Sequence, residues 1–281
     1  MKHTELQLQS NDGLPLFAQV WAPDDKIKGV LCLVHGLGEH SGRYAHWAGR
    51  LSRAGYALAA PDLRGHGRSG GLRGHTPSID HYGDDLSVLF SEASAPFAGK
   101  PCFLYGHSMG GLLALFYLIQ RQPGFTGAVV TSPGLHSAIQ EQKTKVAVTR
   151  LLGFIAPRLT LPSGLEQEYL SRDPDVIDRY RNDPLVHDQI SVGWGRVLLE
   201  MIKCIFERAH EIDLPLLLMH GTEDRIAFAS GSEKLAGLVS GECTLKLWNS
   251  LYHELHNEPE KDEVFAYLVK WLDEQTQKNT N

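Results

Sequence analysis

Five residues near the middle of the chain read Gly106-His107-Ser108-Met109-Gly110. An apolar run at 102–105 precedes them and a helical pattern at 109–121 follows, which is the setting of an activated serine nucleophile. The hydroxyl must stand on a tight strand-to-helix turn with its Oγ in the open, and side chains at 106 and 110 would collide with neighbouring backbone. A serine hydroxyl is a weak nucleophile until a base takes its proton, and the base needs an acid to orient it. For such a turn the expected chain order is Ser, then Asp or Glu, then His. Two downstream loops supply candidates. The sequence His220-Gly221-Thr222-Glu223-Asp224-Arg225 follows an apolar run at 216–219, and the stretch from Trp248 to His256 follows one at 244–247. Asp224 is the expected acid, with Glu223 as competitor. His253 is the expected base, with His256 as rival on the same loop.

Upstream, His35-Gly36-Leu37-Gly38 closes an apolar run at 30–34, and its glycines let backbone approach the nucleophile. The N–H of Leu37 and the N–H of Met109, at a helix N-terminus, are the expected oxyanion donors. His35 is expected to hydrogen-bond local backbone, because the acid and base are already supplied further along. The glycine-rich loop from Asp62 to Ser69 lacks the Gly-Lys-Ser/Thr of a phosphate loop and reads as a tight structural turn. Tyr82-Gly83-Asp84-Asp85-Leu86 opens a helix, and its acids are expected to serve the helix dipole and loop contacts.

The elements that must hold these residues follow from the alternation of short apolar runs with helical patterns. Runs at 5–9 and 14–21 flank Asn11-Asp12-Gly13, which is hairpin chemistry. Runs at 30–34, 57–60, 102–105, 128–131, 216–219 and 244–247 complete eight strands, with helices near 42–54, 78–94, 109–121, 229–239 and 259–274. The fold class is therefore α/β, a mostly parallel eight-stranded sheet flanked by helices. Residues 135–206 break the pattern. Val146, Leu151, Leu152 and Ile155 recur at helical spacing, as do Val197, Leu198, Met201, Ile202 and Ile205, but no parallel strand is legible. Pro157, Pro162, Pro174 and Pro184 cut the segment into short pieces. The expected organisation is a core of residues 1–134 and 207–281 carrying an inserted helical cap, or lid, at 135–206.

Composition agrees with an ordinary globular protein and argues against other classes. The 281 residues are 42% hydrophobic and 21% charged, with 27 Lys+Arg against 33 Asp+Glu for a net charge of −6. A nucleic-acid binder would need a basic face, so none is expected as a partner. The segment 135–206 holds nine Lys/Arg and nine Asp/Glu, so the whole −6 falls on the remainder. A neutral cap has no basic face to draw it to anionic lipid, and any membrane contact would be apolar and transient. The first residues show no apolar run of the kind a signal peptide needs, so none is expected, and no run nears the length of a membrane span. Cys32, Cys102, Cys204 and Cys243 form no metal-like spacing and read as reduced, structural thiols. A cytoplasmic location is the expectation.

With these residues in hand the chain resembles the monoacylglycerol lipase/lysophospholipase family of serine α/β-hydrolases. The resemblance runs from about residue 10 to residue 272. It rests on HGLGEHSGRY (35–44), DLRGHGRSGG (62–71), GHSMGG (106–111), TSPG (131–134), HGTEDR (220–225) and YHELHNE (252–258). It implies Ser108, Asp224 and His253 as catalytic triad and Leu37 and Met109 as oxyanion donors. It implies Glu39, Arg43 and His256 as a polar cluster that binds the leaving alcohol. The implied reaction is acyl transfer to water through an acyl-enzyme on Ser108, without metal or organic cofactor. Monoacylglycerol or lysophospholipid is the implied substrate. A broad short- or medium-chain carboxylesterase and a thioesterase keep the same triad. A non-catalytic hydrolase-fold ligand-binding protein is the rival from a different class.

Overall fold

The computed structural model describes residues 1–121 and 124–278. Strands β1 (Lys2–Gln9) and β2 (Pro15–Ala22) pair antiparallel around the Asn-Asp-Gly turn. There follow β3 (Gly29–Val34), α1 (Ala45–Ala54), β4 (Tyr56–Asp62), α2 (Ile79–Ser94), β5 (Cys102–His107), α3 (Met109–Arg121) and β6 (Gly127–Thr131). Next come α4 (Ala138–Glu141), α5 (Lys143–Ile155), β7 (Thr160–Pro162), α6 (Pro174–Asn182), β8 (Gln189–Ser191) and α7 (Val192–Arg208). The chain returns with β9 (Leu216–Gly221), α8 (Ala229–Ala236), β10 (Cys243–Trp248) and α9 (Lys261–Lys278).

Eight strands form one sheet in the order β1-β2-β4-β3-β5-β6-β9-β10, antiparallel at β1–β2 and β2–β4 and parallel elsewhere. This is the expected α/β-hydrolase architecture. Strand side chains alternate between faces, so β3 sends Val30, Cys32 and Val34 to one core and Leu31 and Leu33 to the other. The first core is closed by Leu86 and Phe90 of α2, Leu112 and Leu115 of α3, and Met201 and Ile205 of α7. The second is closed by Trp47 and Leu51 of α1 and by Leu268 and Leu272 of α9. Burial on both faces is why the central strands read as continuous apolar runs rather than alternating ones.

The details differ from the expectations in instructive places. The expected helix at 42–54 is a 3₁₀ turn at Ser41–Tyr44 followed by α1. Strand β4 runs two residues past its apolar run and places Asp62 inside the sheet, where its carboxylate accepts from Ser41 N, Ser41 Oγ and Arg68 N. Between β6 and β9 the helical spacings correspond to α5 and α7. Leu151 and Ile155 on α5 are nonetheless 61% and 70% exposed, while Val146 and Leu152 are half-buried, so only part of that stripe is covered. Pro174 opens α6, with the Asp173 side chain accepting from Asp175 N. The antiparallel β7–β8 ribbon escaped the sequence reading because its strands are three residues long and one ends in proline. The four cysteines are free thiols, with the Cys32 and Cys102 sulfurs 3.7 Å apart. Among the described residues no helix is long and apolar enough to cross a membrane.

Candidate active site

Strand β5 leads directly into Ser108, which sits at φ +55°, and α3 starts at the next residue. A non-glycine residue there is strained and must be held by its surroundings. Ser108 N donates to Thr131 O at 3.0 Å on the neighbouring strand, and Leu112 N donates back to Ser108 O at 3.2 Å. The flanking glycines are steric requirements, as the sequence implied. A Cβ on Gly106 would lie 2.6 Å from Gly110 O, and one on Gly110 would lie 2.1 Å from Val34 O.

His253 follows β10 and reaches Ser108, its Nε2 2.9 Å from Oγ. Its Nδ1 donates to Asp224 Oδ2 at 2.7 Å. The other oxygen, Oδ1, accepts from Ile226 N and Ala227 N, both at 2.9 Å. Ser108, His253 and Asp224 thus form one hydrogen-bonded chain of nucleophile, base and acid geometry. The two rivals are not part of it. Glu223 is exposed, and both ring nitrogens of His256 lack a hydrogen-bond partner. Burial works against charge on His253, but the Asp224 carboxylate outweighs it and raises the imidazole above its ordinary value. Burial likewise raises Asp224, yet the facing imidazoles of His253 and His220 hold its carboxyl far below the usual carboxylate range.

The loop after β3 lies against this turn, since a Cβ on Gly36 would be 3.3 Å from Ser108 Cβ. Gly36 N is taken by Glu39 Oε1 at 2.6 Å. The N–H of Leu37 has no acceptor among the described residues, and that of Met109 opens a helix whose first N–H groups lack intrahelical partners. Both expected oxyanion donors therefore flank the Ser108 turn. His35 bonds local backbone as expected, through Gly36 O at 2.8 Å and Leu63 N at 2.9 Å. Of the α2 acids, Asp85 makes a loop contact, clamping Arg64 at 2.6 and 2.8 Å, and Asp84 pairs with Arg121.

The residues of the implied alcohol cluster separate into two groups. Arg43 Nη1 donates to Glu39 Oε2 at 2.7 Å, so these two stand together at the site. His256 is fully buried, stacked on Tyr44 at 4.8 Å with Trp47 and His107 edge-on. Burial drives its pKa down to about 3, so it is a neutral ring.

Four residues given no role in the sequence reading support the geometry. His220 Nε2 lies 3.1 Å from Asp224 Oδ2 and 2.8 Å from Ala227 O, with its Nδ1 2.7 Å from Ser232 Oγ. Ser132, at φ +45°, donates from Oγ to His253 O at 2.7 Å. Trp194 of α7 donates to Met109 Sδ at 3.3 Å. Glu254 binds Arg43 through both oxygens, at 2.7 and 2.8 Å. The signal for Glu254 was a charged residue directly after the base. The base loop is also pinned from the 135–206 segment, by His253 N to Tyr169 O at 3.4 Å and Glu254 N to Leu170 O at 2.7 Å.

Comparison with known proteins shows what the chain is similar to. A family model described as serine aminopeptidase, S33, matches residues 25–260. A monoacylglycerol lipase of Mycolicibacterium smegmatis is 35% identical over 262 residues, 92% of this chain and 93% of that one. Phospholipase YtpA of Bacillus subtilis is 34% identical over 90% of this chain and 98% of its own. The crystal structure of a Paleococcus ferrophilus monoacylglycerol lipase superposes with a TM-score of 0.83 at 34% identity, covering 98% of this chain and all of that one. The chain spans only 29% of the length of an uncharacterized abhydrolase domain-containing protein of Dictyostelium discoideum, to which it is 36% identical.

Proposed function

The chain belongs to the serine aminopeptidase S33 family of serine α/β-hydrolases, and on that premise we propose that it is a carboxylic ester hydrolase for monoesters with an apolar acyl chain and a small polar alcohol. Monoacylglycerol, cut to glycerol and fatty acid, is the leading substrate. The observation that carries this reading is the unbroken hydrogen-bonded chain from Asp224 through His253 to Ser108.

In the proposed mechanism His253 Nε2 takes the Ser108 proton as Oγ attacks the ester carbonyl. Asp224 fixes the tautomer and stabilises the imidazolium that forms. The N–H groups of Leu37 and Met109 hold the oxyanion, an arrangement in which each donor is typically worth about 100- to 1000-fold in turnover. His253 then gives its proton to the leaving alcohol, and a water activated the same way releases the fatty acid.

Residues 135–206 are proposed as a cap over this site. The contacts of Tyr169, Leu170 and Trp194 with the base loop and the Ser108 turn support it. So does an exposed apolar set on and beside α5 and β7: Val148, Leu151, Phe154, Ile155, Leu159 and Leu161. With balanced charge behind it, such a face suits transient contact with a lipid aggregate. A cytoplasmic location goes with this reading.

Ser108→Ala should fold normally and lose hydrolysis of p-nitrophenyl acyl esters, and a fluorophosphonate should label the wild type alone. Retained turnover in that variant would overturn the assignment. A profile of rate against acyl length separates the lipase from a short-chain esterase or thioesterase.

A further inference from the structure

The side chains of Glu39, Arg43 and Glu254 form a buried ionic cluster in the wall of the site. The Arg43 guanidinium gives Nη1 to Glu39 Oε2 and to Glu254 Oε1, and Nη2 to Glu254 Oε2, all within 2.8 Å. Its accessible face is covered by the Tyr180 ring, 4.7 Å away. The carboxylates are further fixed. Glu39 Oε1 accepts from Gly36 N and Tyr44 OH, and Glu254 Oε2 accepts from Asn257 Nδ2. Burial alone would neutralise Glu254, but the Arg43 charge overcomes it and holds the carboxyl well below its usual range. Two carboxylates against one guanidinium leave the cluster at −1, and the neutral His256 ring adds nothing to offset it.

Glu39 binds the residue that abuts Ser108, and Glu254 adjoins His253, so the cluster borders the reacting centre. An arginine there would ordinarily invite an anion, since its planar fork matches phosphate oxygens. Here that fork is already closed by Glu254. The residual charge lies one residue from His253, and both Glu254 and Glu39 help to raise that imidazole. We propose that Glu254 is a specificity-determining residue that occupies Arg43 and makes the alcohol subsite anionic, so that esters of neutral or cationic alcohols are accepted and esters with a phosphate on the alcohol are rejected. The inference rests on the ester-hydrolase reading above and narrows it, favouring monoacylglycerol over an acylglycerol phosphate.

The test uses one acyl chain on three alcohols: glycerol, choline and glycerol 3-phosphate. For the wild type, kcat/KM should fall by roughly tenfold or more on the phosphorylated ester, because like charges brought together in a partly buried site suppress the wrong partner. The choline ester should be at least as good a substrate as the glycerol ester. Glu254→Gln frees half of the fork and should narrow the gap mainly by raising the rate on the phosphorylated ester. A flat profile in the wild type, which needs no variant, would overturn the charge rule while leaving the hydrolase reading intact. An unchanged ratio in folded Glu254→Gln would overturn the role of Glu254. Absence of turnover on all three esters would overturn the hydrolase reading and the inference together.

Discussion

Replacing Asp224 by asparagine changes one atom, and the structure determines what that atom does. The side chain has two faces. Oδ1 accepts two backbone N–H groups, from Ile226 and Ala227, while Oδ2 faces His253 Nδ1 at 2.7 Å and His220 Nε2 at 3.1 Å. An amide turned with its NH₂ toward the backbone would leave two buried donors unpaired, at about 1–3 kcal/mol for each. It is therefore expected to keep its oxygen on the backbone and present NH₂ to His253. The imidazole must then accept at Nδ1 and carry its proton on Nε2, where it can no longer take one from Ser108. In triads of this kind the wrong tautomer costs about 10⁴ in kcat, or about 5.4 kcal/mol of barrier. The assay is kcat for a soluble p-nitrophenyl ester, with circular dichroism and thermal melting to show that the variant is folded. Glu223→Gln is the control, since an exposed carboxylate should alter the rate by no more than about twofold. A loss below tenfold in folded Asp224→Asn, or a larger loss in the control, would refute the assignment of the acid.

The acid limb of kcat/KM should have its midpoint above 6.5, because Asp224 favours the protonated imidazole and His253 must lose that proton to act as base. A midpoint below that value in a pH–rate profile would contradict the geometry. The same linkage has a stability signature. The His253 contribution is full below its ordinary 6.5 and fades as pH rises through its raised folded value, whereas the Asp224 contribution is present above 3.8 and fades as pH falls below it, both readable in denaturant titrations. Gly110→Ala places a methyl 2.1 Å from Val34 O and should destabilise by about 1–3 kcal/mol while misplacing Met109 N, seen as a lowered Tm and lost turnover. A Phe154→Ser, Ile155→Ser double variant, at two largely exposed sites, should leave the rate on a short soluble ester unchanged and lower it on a vesicle-bound long-chain substrate. Equal rates on both would remove the lipid-facing role of α5.

The parts legible in the sequence were those set by local rules. Gly106, Ser108 and Gly110 announce a turn whose geometry admits few alternatives, and short continuous apolar runs, buried on both faces, mark β3, β5 and β6. Chain order then pointed to the two loops that hold Asp224 and His253, with Glu223 and His256 left as rivals. What stayed hidden depends on contacts between distant segments. Glu254 is a charged residue in a loop until Arg43, 211 positions away, gives it a partner. His220 is the end of a strand until Ser232 and Ala227 turn its ring toward Asp224. The apolar spacing of α5 reads as a helix, yet Leu151 and Ile155 on it are exposed, and no periodicity says which surface a stripe covers. The β7–β8 ribbon fell below the length at which a strand pattern can be told from a loop.

The way the base loop is tied down has a consequence for the order of assembly. Ser108 stands at the end of the central strand β5, but His253 follows the edge strand β10; its backbone is held by Tyr169 and Ser132, and that of the next residue, Glu254, by Leu170. The serine is thus among the first chemical groups the sheet can place, and its base is among the last. A chain still emerging from synthesis, or one whose final strand has detached, carries an inert hydroxyl rather than a loose nucleophile. Esterase activity is for this reason a reporter of the completed sheet, and its loss should precede any loss of the central strands as the molecule opens from its β10 edge.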